Sequence, residues 1–228
     1  MITLLKSGER GRGDYGWLKT RYSFSFADYY NPQRMGVSAL RVINDDWIAP
    51  AAGFDTHPHR DMEIITYMLE GAIEHRDTMG FHTTLRAGEV QVMSAGSGIR
   101  HSEHNPSPDA PLKLLQIWIQ PRERGVSPRY AQKDFGDSRG VTLLVSGDGR
   151  GESLPIHQDA RLYQLRLPAG KQKLELETGR TGYLHLISGT LSLDNRSLAA
   201  GDAAVVEGQA QAELRVEAPI EALWFDLP

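Results

Sequence analysis

Residues 53–71 of the chain read GFDTHPHRDMEIITYMLEG and join a paired-histidine motif to a β-type run. His57 and His59 are two residues apart, so in an extended strand both imidazoles project from the same face and can bind one ion. The run at 62–69 is rich in apolar and β-branched residues, and Gly71 marks a turn after it. The stretch therefore predicts a metal-binding strand that leads directly into a β-sheet.

A second motif lies in residues 96–105, which read GSGIRHSEHN. Its Gly-rich turn precedes His101 and Glu103, which share one face if this segment is extended. Glu63 has the same parity as the first pair of histidines, so spacing alone leaves Glu63 and Glu103 open as the carboxylate ligand. An isolated histidine is more often a hydrogen-bonded residue than a ligand, but two paired motifs in a β-rich chain indicate a mononuclear site for a divalent metal. Because cysteine is absent, the ligands of any metal must be imidazole and carboxylate.

Short β-type runs separated by turn signals extend along the whole chain and predict an all-β sandwich or barrel. Helix is expected to be a minor component, with a turn or two near 27–33 as the best candidate. The β-type runs are 38–43, 62–69, 72–77, 89–94, 112–119, 141–146, 161–167, 183–188, 203–208, 212–217 and 220–227.

The chain divides into two halves of similar plan. The order of strands and glycines in 66–119 recurs in 184–227. The segment 121–140 between them is polar, contains Pro and Gly, and lacks clear periodicity, which is typical of a linker. We predict two barrels, at 1–135 and 136–228, each large enough to bury a core.

Only the first half carries a ligand set. When the second half is laid over the first without gaps, Glu175 and Glu177 fall on the positions of the paired histidines. Leu214 and Val216 fall on the positions of the second motif, and apolar side chains cannot ligate a cation. We therefore expect one metal per chain and a second barrel that is structural or forms a wall of the substrate cleft.

The composition argues against several classes of partner. The net charge is −4, the isoelectric point is near 6.1, and no run of five Lys or Arg occurs, so direct nucleic-acid binding is not expected. No apolar stretch approaches the ~20 residues needed to cross a bilayer, and the N-terminus has no apolar signal-peptide region. We expect a cytoplasmic protein that does not interact with a membrane and is a monomer.

Residues 53–71 followed by 88–105 resemble the signature of the pirin family of bicupins. The similarity extends to 15–32, 39–48 and 116–121, so it covers about the first 135 residues, whereas the second half resembles the family only in plan. The resemblance implies an all-β bicupin, with two barrels of the double-stranded β-helix type in one chain.

The resemblance also implies a ligand set. In pirin-like proteins the metal is held by both histidines of H-P-H and by the histidine and glutamate of H-S-E, and these four ligands correspond to His57, His59, His101 and Glu103. The wider cupin superfamily more often uses the glutamate that would be Glu63 here.

Some bacterial pirin-like proteins are quercetinases, and the length and motifs of this chain are similar to theirs. The resemblance implies a metal-dependent dioxygenase of the quercetin 2,3-dioxygenase type, which opens the heterocycle of a flavonol and releases carbon monoxide. Its substrates would be a small planar phenol and dioxygen, with Glu103 as the candidate base. We expect one divalent transition metal, first Fe(II), with Mn, Co, Ni, Cu or Zn as alternatives. The alternative function is a metal-dependent redox sensor or regulator that acts through a protein partner.

The remaining histidines are assigned more ordinary roles. His75 and His82 flank a turn and are predicted to be exposed or at the rim of the cleft, and His157 and His185 are predicted to be surface or core polar residues. The aromatic-rich segment 15–30 could line a pocket for a planar ring, although aromatic residues at strand spacing are more often core.

Overall fold

The computed structural model describes residues 1–228 and consists of two β-barrels, each built from one seven-stranded and one four-stranded sheet. This confirms the prediction of an all-β bicupin. Helix is confined to two single turns of 3-10 helix, Ser7–Glu9 and Arg150–Glu152, so no helix could span a bilayer.

The first barrel takes its strands from the first part of the chain, and all its strand pairs are antiparallel. Strands are numbered in chain order: β2 (Gly11–Asp14), β3 (Leu18–Tyr22), β4 (Leu40–Ile48), β5 (Gly53–His59), β6 (Glu63–Glu70), β7 (Ala72–Asp77), β8 (His82–Arg86), β9 (Glu89–Ser94), β10 (Ile99–His104), β11 (Leu112–Ile119) and β12 (Arg129–Asp134). Its large sheet has the order β12-β9-β6-β11-β4-β3-β2 and its small sheet the order β5-β10-β7-β8.

The second barrel repeats this plan with a small sheet of the same arrangement. Its strands are β1 (Ile2–Leu5), β13 (Gly140–Ser146), β14 (Leu154–Pro155), β15 (Arg161–Leu167), β16 (Gly170–Glu175), β17 (Thr181–Ser188), β18 (Thr190–Leu193), β19 (Arg196–Ala199), β20 (Ala203–Val206), β21 (Gln211–Val216) and β22 (Ile220–Leu227). The large sheet has the order β1-β20-β17-β22-β15-β13-β14 and the small sheet the order β16-β21-β18-β19.

The N-terminal strand crosses between the halves, which the predicted division at residue 135 does not anticipate. β1 pairs with β20, with Ile2 opposite Val206, so the first residues of the chain complete the sheet of the second barrel. The segment 121–140, predicted as a linker, contains β12, which pairs with β9 at the edge of the first barrel.

The predicted helical turn near 27–33 is wrong. The loop closes by turns around Asn31, whose backbone N–H donates to Ser25 Oγ while the same hydroxyl donates to the Asn31 carbonyl. Pro32 disfavours helical geometry at the residue before it, which explains why the loop does not continue as a helix.

Successive side chains along the strands of the large sheet point to opposite faces, and both faces are buried. On β6, Ile65 belongs to a cluster of 23 buried residues between the two large sheets, whereas Ile64 faces the interior of the first barrel. The interior of the second barrel is one apolar cluster of 18 residues. The interior of the first holds two smaller clusters, of 7 and 5 residues, and the candidate site lies at the polar level between them.

Candidate metal centre

Three imidazoles converge on the small sheet of the first barrel. β5 and β10 run antiparallel with His57 opposite His101, and the ligand nitrogens of His57, His59 and His101 lie within 4.8 Å of one another. The Nε2 atoms of His57 and His101 are 3.1 Å apart. His101 is buried and the other two are half-buried, so the cluster opens towards solvent on the β5 side.

A close approach of two strands shapes this end of the site. The register of β5 and β10 shifts between His101 and Glu103. At Gly53 a Cβ would lie 2.2 Å from the Glu103 carbonyl oxygen, so only glycine permits this crossing.

The cluster has the protonation state that a cation requires. Burial, together with the neighbouring imidazoles, lowers the pKa of both His59 and His101 to about 3. Imidazoles that stay neutral keep a lone pair for coordination. Three imidazole nitrogens within 4.8 Å of one another fit a divalent transition metal.

Glu103 lies deeper in the barrel than the two half-buried histidines. One of its carboxylate oxygens, Oε1, accepts a hydrogen bond from Gln91 Nε2 at 3.0 Å and lies 3.5 Å from Thr66 Oγ1. The other, Oε2, accepts from Gln116 Nε2 at 3.0 Å. These donors fix the carboxylate beside His101, and Glu103, His75 and His101 form a second cluster whose ligand atoms lie within 4.8 Å of one another. Glu103 does not belong to the cluster of His57, His59 and His101.

A row of polar residues crosses the large sheet at this level. Each member faces the next across neighbouring strands, and no apolar residue interrupts the row. In order, its members are Tyr22, Asn44, Gln116, Thr66, Gln91 and Gln132.

The structure does not bring Glu63 to the histidines. Its side chain lies on the face of β6 turned away from Thr66, where it accepts a hydrogen bond from Ser94 Oγ at 2.7 Å. Burial raises its pKa, and the neighbours that oppose this rise include His157 and Arg129. The parity argument fails here because β5 ends at His59 and Asp61 adopts a left-handed φ of 49°, which interrupts the alternation before β6.

The prediction that His75 is exposed or at the rim of the cleft is wrong, because it is buried, whereas His82 is exposed in agreement with its prediction. The His75 side chain is fully buried, stacked on Tyr130 at 4.6 Å between ring centroids. Its Nε2 lies 2.9 Å from Asp77 Oδ2, and its Nδ1 lies 3.4 Å from Nδ1 of His101. The signal in the sequence is the alternation of Ile73, His75 and Asp77, which places the histidine on the same face as a buried isoleucine.

These contacts allow one consistent placement of protons. The Nε2–H of His75 donates to Asp77, whose carboxylate also accepts backbone N–H bonds from Met79 and Phe81. The Nδ1 lone pair of His75 then accepts the Nδ1–H of His101. This leaves Nε2 of His101 unprotonated and directed at His57.

Aromatic rings flank the open side of the cluster. The Phe54 ring centroid lies 6.2 Å from that of His57, and Trp17 packs edge-on against Phe54. On the other side Trp118 lies 5.1 Å from His59, and Phe26 packs edge-on against Trp118. The segment 15–30 therefore supplies two of these rings, Trp17 and Phe26.

The second barrel has an apolar interior at the corresponding strands. Glu175 and Glu177 are exposed, and the residues that face inward are Leu174 and Leu176, so the ungapped superposition is offset there by one residue. Leu214 and Val216 are buried in the apolar cluster, as expected for positions that cannot bind a cation.

The two histidines of the second half are apart from any ligand cluster. His185 is a buried core residue whose Nδ1 has no hydrogen-bond partner, and His157 is half-buried. Both clusters of metal-binding side chains in the structure lie in the first barrel.

Comparison with known proteins agrees with this architecture. The sequence profile of the family named Pirin matches residues 6–119. The chain belongs to the pirin family. This pirin also matches, over residues 143–227, the profile described as the quercetinase C-terminal cupin domain.

Three relatives of this pirin are informative. It is 45% identical over 229 residues to quercetin 2,3-dioxygenase of Escherichia coli K12, covering 100% of this chain and 99% of the relative. It is 46% identical over 205 residues to a pirin-like protein of Caulobacter vibrioides, covering 88% of each. The crystal structure of the bacterial pirin YhhW from Escherichia coli in complex with nickel(II) superposes with a TM-score of 0.97 at 44% identity, covering 100% of this chain and 99% of that chain.

These matches support two predictions in general form. The His cluster and the nickel complex of a full-length relative support a metal-binding cupin, and the relatives named as dioxygenases support an oxidoreductase. The choice of Fe(II) as the native metal stays a prediction.

Proposed function

We propose that this pirin is a metal-dependent dioxygenase of the quercetin 2,3-dioxygenase type, which opens the heterocycle of a flavonol. The observation that carries the proposal is the convergence of three imidazoles at the mouth of a barrel between two aromatic walls. The full-length similarity to a protein named quercetin 2,3-dioxygenase supports the same reaction.

In this proposal His57, His59, His101 and Glu103 hold one divalent metal. When bound, such an ion supplies a Lewis acid that lowers the pKa of a chelating hydroxyl and accepts the oxygens of the substrate. Imidazole and carboxylate ligands suit Fe(II), our first choice, and also Mn, Co, Ni, Cu and Zn. The nickel complex of YhhW supports nickel as one of these ions.

The protein side chains position the substrate and take its proton. Phe54 and Trp118 form walls on either side of the cluster, which suit a planar ring system and exclude water from it. Glu103 is the base for the 3-hydroxyl of the flavonol. It is held by two amide donors, from Gln91 and Gln116, so that of its four lone pairs one can bind the metal and one is left for that proton.

The overall reaction balances without a further oxidant. Both atoms of dioxygen enter the product, the heterocycle opens, and one ring carbon leaves as carbon monoxide. The substrates are therefore a small planar phenol and dioxygen.

The test is aerobic incubation with quercetin after reconstitution with Fe(II), Mn, Co, Ni, Cu or Zn in separate samples. We expect loss of flavonol absorbance with release of one equivalent of carbon monoxide for at least one metal. His82→Ala, which changes an exposed histidine outside the cluster, is the matched control and retains this activity. Stoichiometric metal without turnover in all six samples would contradict the proposal.

A further inference from the structure

Three buried oxygens on β3 and β4 have no hydrogen-bond partner: Thr20 Oγ1, Asn44 Oδ1 and Asp46 Oδ1. Their residues are 4%, 4% and 3% exposed, respectively. Thr20 is paired with Asp46 across the two strands, and Asn44 is two residues from Asp46 on the same face of β4. Buried polar atoms without a partner are rare in folded proteins, so three neighbours together indicate that another molecule supplies the hydrogen bonds.

These oxygens face the same barrel interior as Glu103. Asp46 shares its face of β4 with Ile48, which lies in an apolar cluster inside the first barrel. Asn44 is opposite Gln116, whose amide donates to Glu103. Asn44 therefore belongs to the polar row that holds the candidate base, and Thr20 and Asp46 lie two residues along β3 and β4 from its members Tyr22 and Asn44.

A chain of aromatic contacts joins the same region to the open histidines. Tyr22, opposite Asn44, lies 5.7 Å from Phe26 between ring centroids. Phe26 in turn packs against Trp118, and Trp118 packs against His59. These rings therefore form one continuous wall that leads from His59 to the residue opposite Asn44.

The chemistry of the three oxygens indicates which ligand group can form hydrogen bonds with them. A carboxylate and an amide oxygen accept hydrogen bonds, and a threonine hydroxyl both accepts and donates, so the missing partner is a donor. Burial raises the pKa of Asp46 to about 7; the Thr20 hydroxyl opposes this rise, and the charges of Asp45 and Glu103 add to it. An environment that already disfavours negative charge selects against carboxylate or phosphate ligands and in favour of a neutral hydroxyl.

We propose that Thr20, Asn44 and Asp46 form a second substrate subsite, which accepts a hydrogen bond from a phenolic hydroxyl remote from the metal-binding oxygens of the substrate. The inference rests on the proposed function and adds a substrate class to it, namely planar phenols that carry a hydroxyl at both ends. Asp46 is thereby a specificity-determining residue.

Anaerobic binding separates this inference from the reaction itself. The zinc-loaded protein is titrated with quercetin, which has hydroxyls on both outer rings, and with 3-hydroxyflavone, which has only the metal-binding hydroxyl, while tryptophan fluorescence is followed. We expect quercetin to bind at least about tenfold more tightly, because a site built to bind a hydroxyl discriminates against an analogue that lacks it. Equal dissociation constants in the wild-type protein would refute the subsite and leave an ordered water as the partner of these oxygens.

Variants then assign the discrimination to the named residues. Asp46→Asn and Thr20→Val are expected to reduce the preference for quercetin at least threefold while 3-hydroxyflavone binds as before. The matched control is Lys19→Gln, on the exposed face of β3 beside Thr20, which keeps the wild-type preference. Equal weakening of both ligands in Asp46→Asn, or an unchanged preference in both subsite variants, would overturn the assignment.

The two proposals fail in different ways. If the protein discriminates between the two flavonols without oxygen but releases no carbon monoxide in air, the subsite stands and the proposed reaction fails. If quercetin is cleaved but both flavonols bind equally, the reaction stands and the subsite fails.

Discussion

His75 is predicted to control metal affinity although it is not itself assigned as a ligand. In the structure it links Asp77 to His101, and its Nδ1 lies 3.4 Å from His101 Nδ1. His75→Phe keeps a flat ring to stack on Tyr130 but removes the acceptor for the His101 Nδ1–H. His101 then has no partner that holds the proton on Nδ1, so the tautomer with a proton on Nε2, the atom directed at the metal, becomes competitive.

The expected magnitude follows from the burial of His101, which is 1% exposed. Metal binding at Nε2 forces the proton to Nδ1, where in His75→Phe it would be a buried donor without a partner. Such a donor costs about 1–3 kcal/mol, which corresponds to a loss of roughly 5- to 150-fold in metal affinity. Changes to the residues that orient a metal ligand typically cost about 10- to 100-fold, which agrees with this range.

The assay is competition for Zn²⁺ against a chromophoric chelator, together with ¹⁵N NMR of the histidine side chains in the metal-free protein. His75→Asn places an amide oxygen near the position of the lost acceptor and is expected to recover most of the affinity. His82→Phe changes the exposed histidine of the same hairpin and leaves affinity unchanged. If folded His75→Phe binds zinc within twofold of the wild-type protein, or if His101 keeps its Nδ1–H tautomer in that variant, the reasoning is wrong.

Three further predictions concern the ligands and the second barrel. His101→Ala should lose most bound metal by elemental analysis while His157→Ala retains it, and equal retention would refute the assignment of the site. Glu103→Gln should lower metal content much more than Glu63→Gln, because Glu63 lies on the face of β6 turned away from the barrel interior; the reverse order would identify Glu63 as the ligand. Burial, with Arg10 nearby, lowers the pKa of His185 to about 3, so the unfolded chain takes up a proton near pH 6.5 that the folded protein does not. The free energy of unfolding should therefore fall as pH drops below about 6.5, by about 2 kcal/mol at pH 5. Chemical denaturation at pH 5 and 7.5 should show a smaller fall in the free energy of unfolding for His185→Gln than for the wild-type protein.

The local pattern of apolar residues and turn signals was sufficient to predict several strands of both barrels. The predicted runs 72–77, 89–94, 112–119, 161–167 and 220–227 coincide with β7, β9, β11, β15 and β22. These strands are bordered by turns. In most of them successive side chains point to two faces that are both buried, so the apolar residues form a continuous run in the sequence.

What the sequence could not show depends on partners distant in the chain. β1 is short, and its pairing with β20 joins the two ends of the sequence, so no local signal assigns it to the second barrel. β12 lies at a sheet edge and reads as a polar linker, yet it carries Tyr130, which covers His75. The burial of His75, and hence its role beside His101, therefore follows only from the folded arrangement.

The two barrels differ in one row of side chains as well as in their ligand positions. In the first barrel the row from Tyr22 to Gln132 is polar and fixes Glu103 through amide donors. A row across the second large sheet consists of Tyr163, Trp224, Leu184, Ala204 and Leu4.

Trp224 explains why the second barrel cannot acquire a metal by exchange of its ligand positions alone. Its ring packs over Gly182, where a Cβ would lie 2.1 Å from the nearest ring atom, so the tryptophan fills the barrel interior. A histidine at Leu214 would lose about 1.5–3 kcal/mol of apolar burial and would find no amide or carboxylate to orient it. A metal centre in this fold therefore requires a polar row beneath the ligands as well as the ligands themselves, and only the first barrel has both.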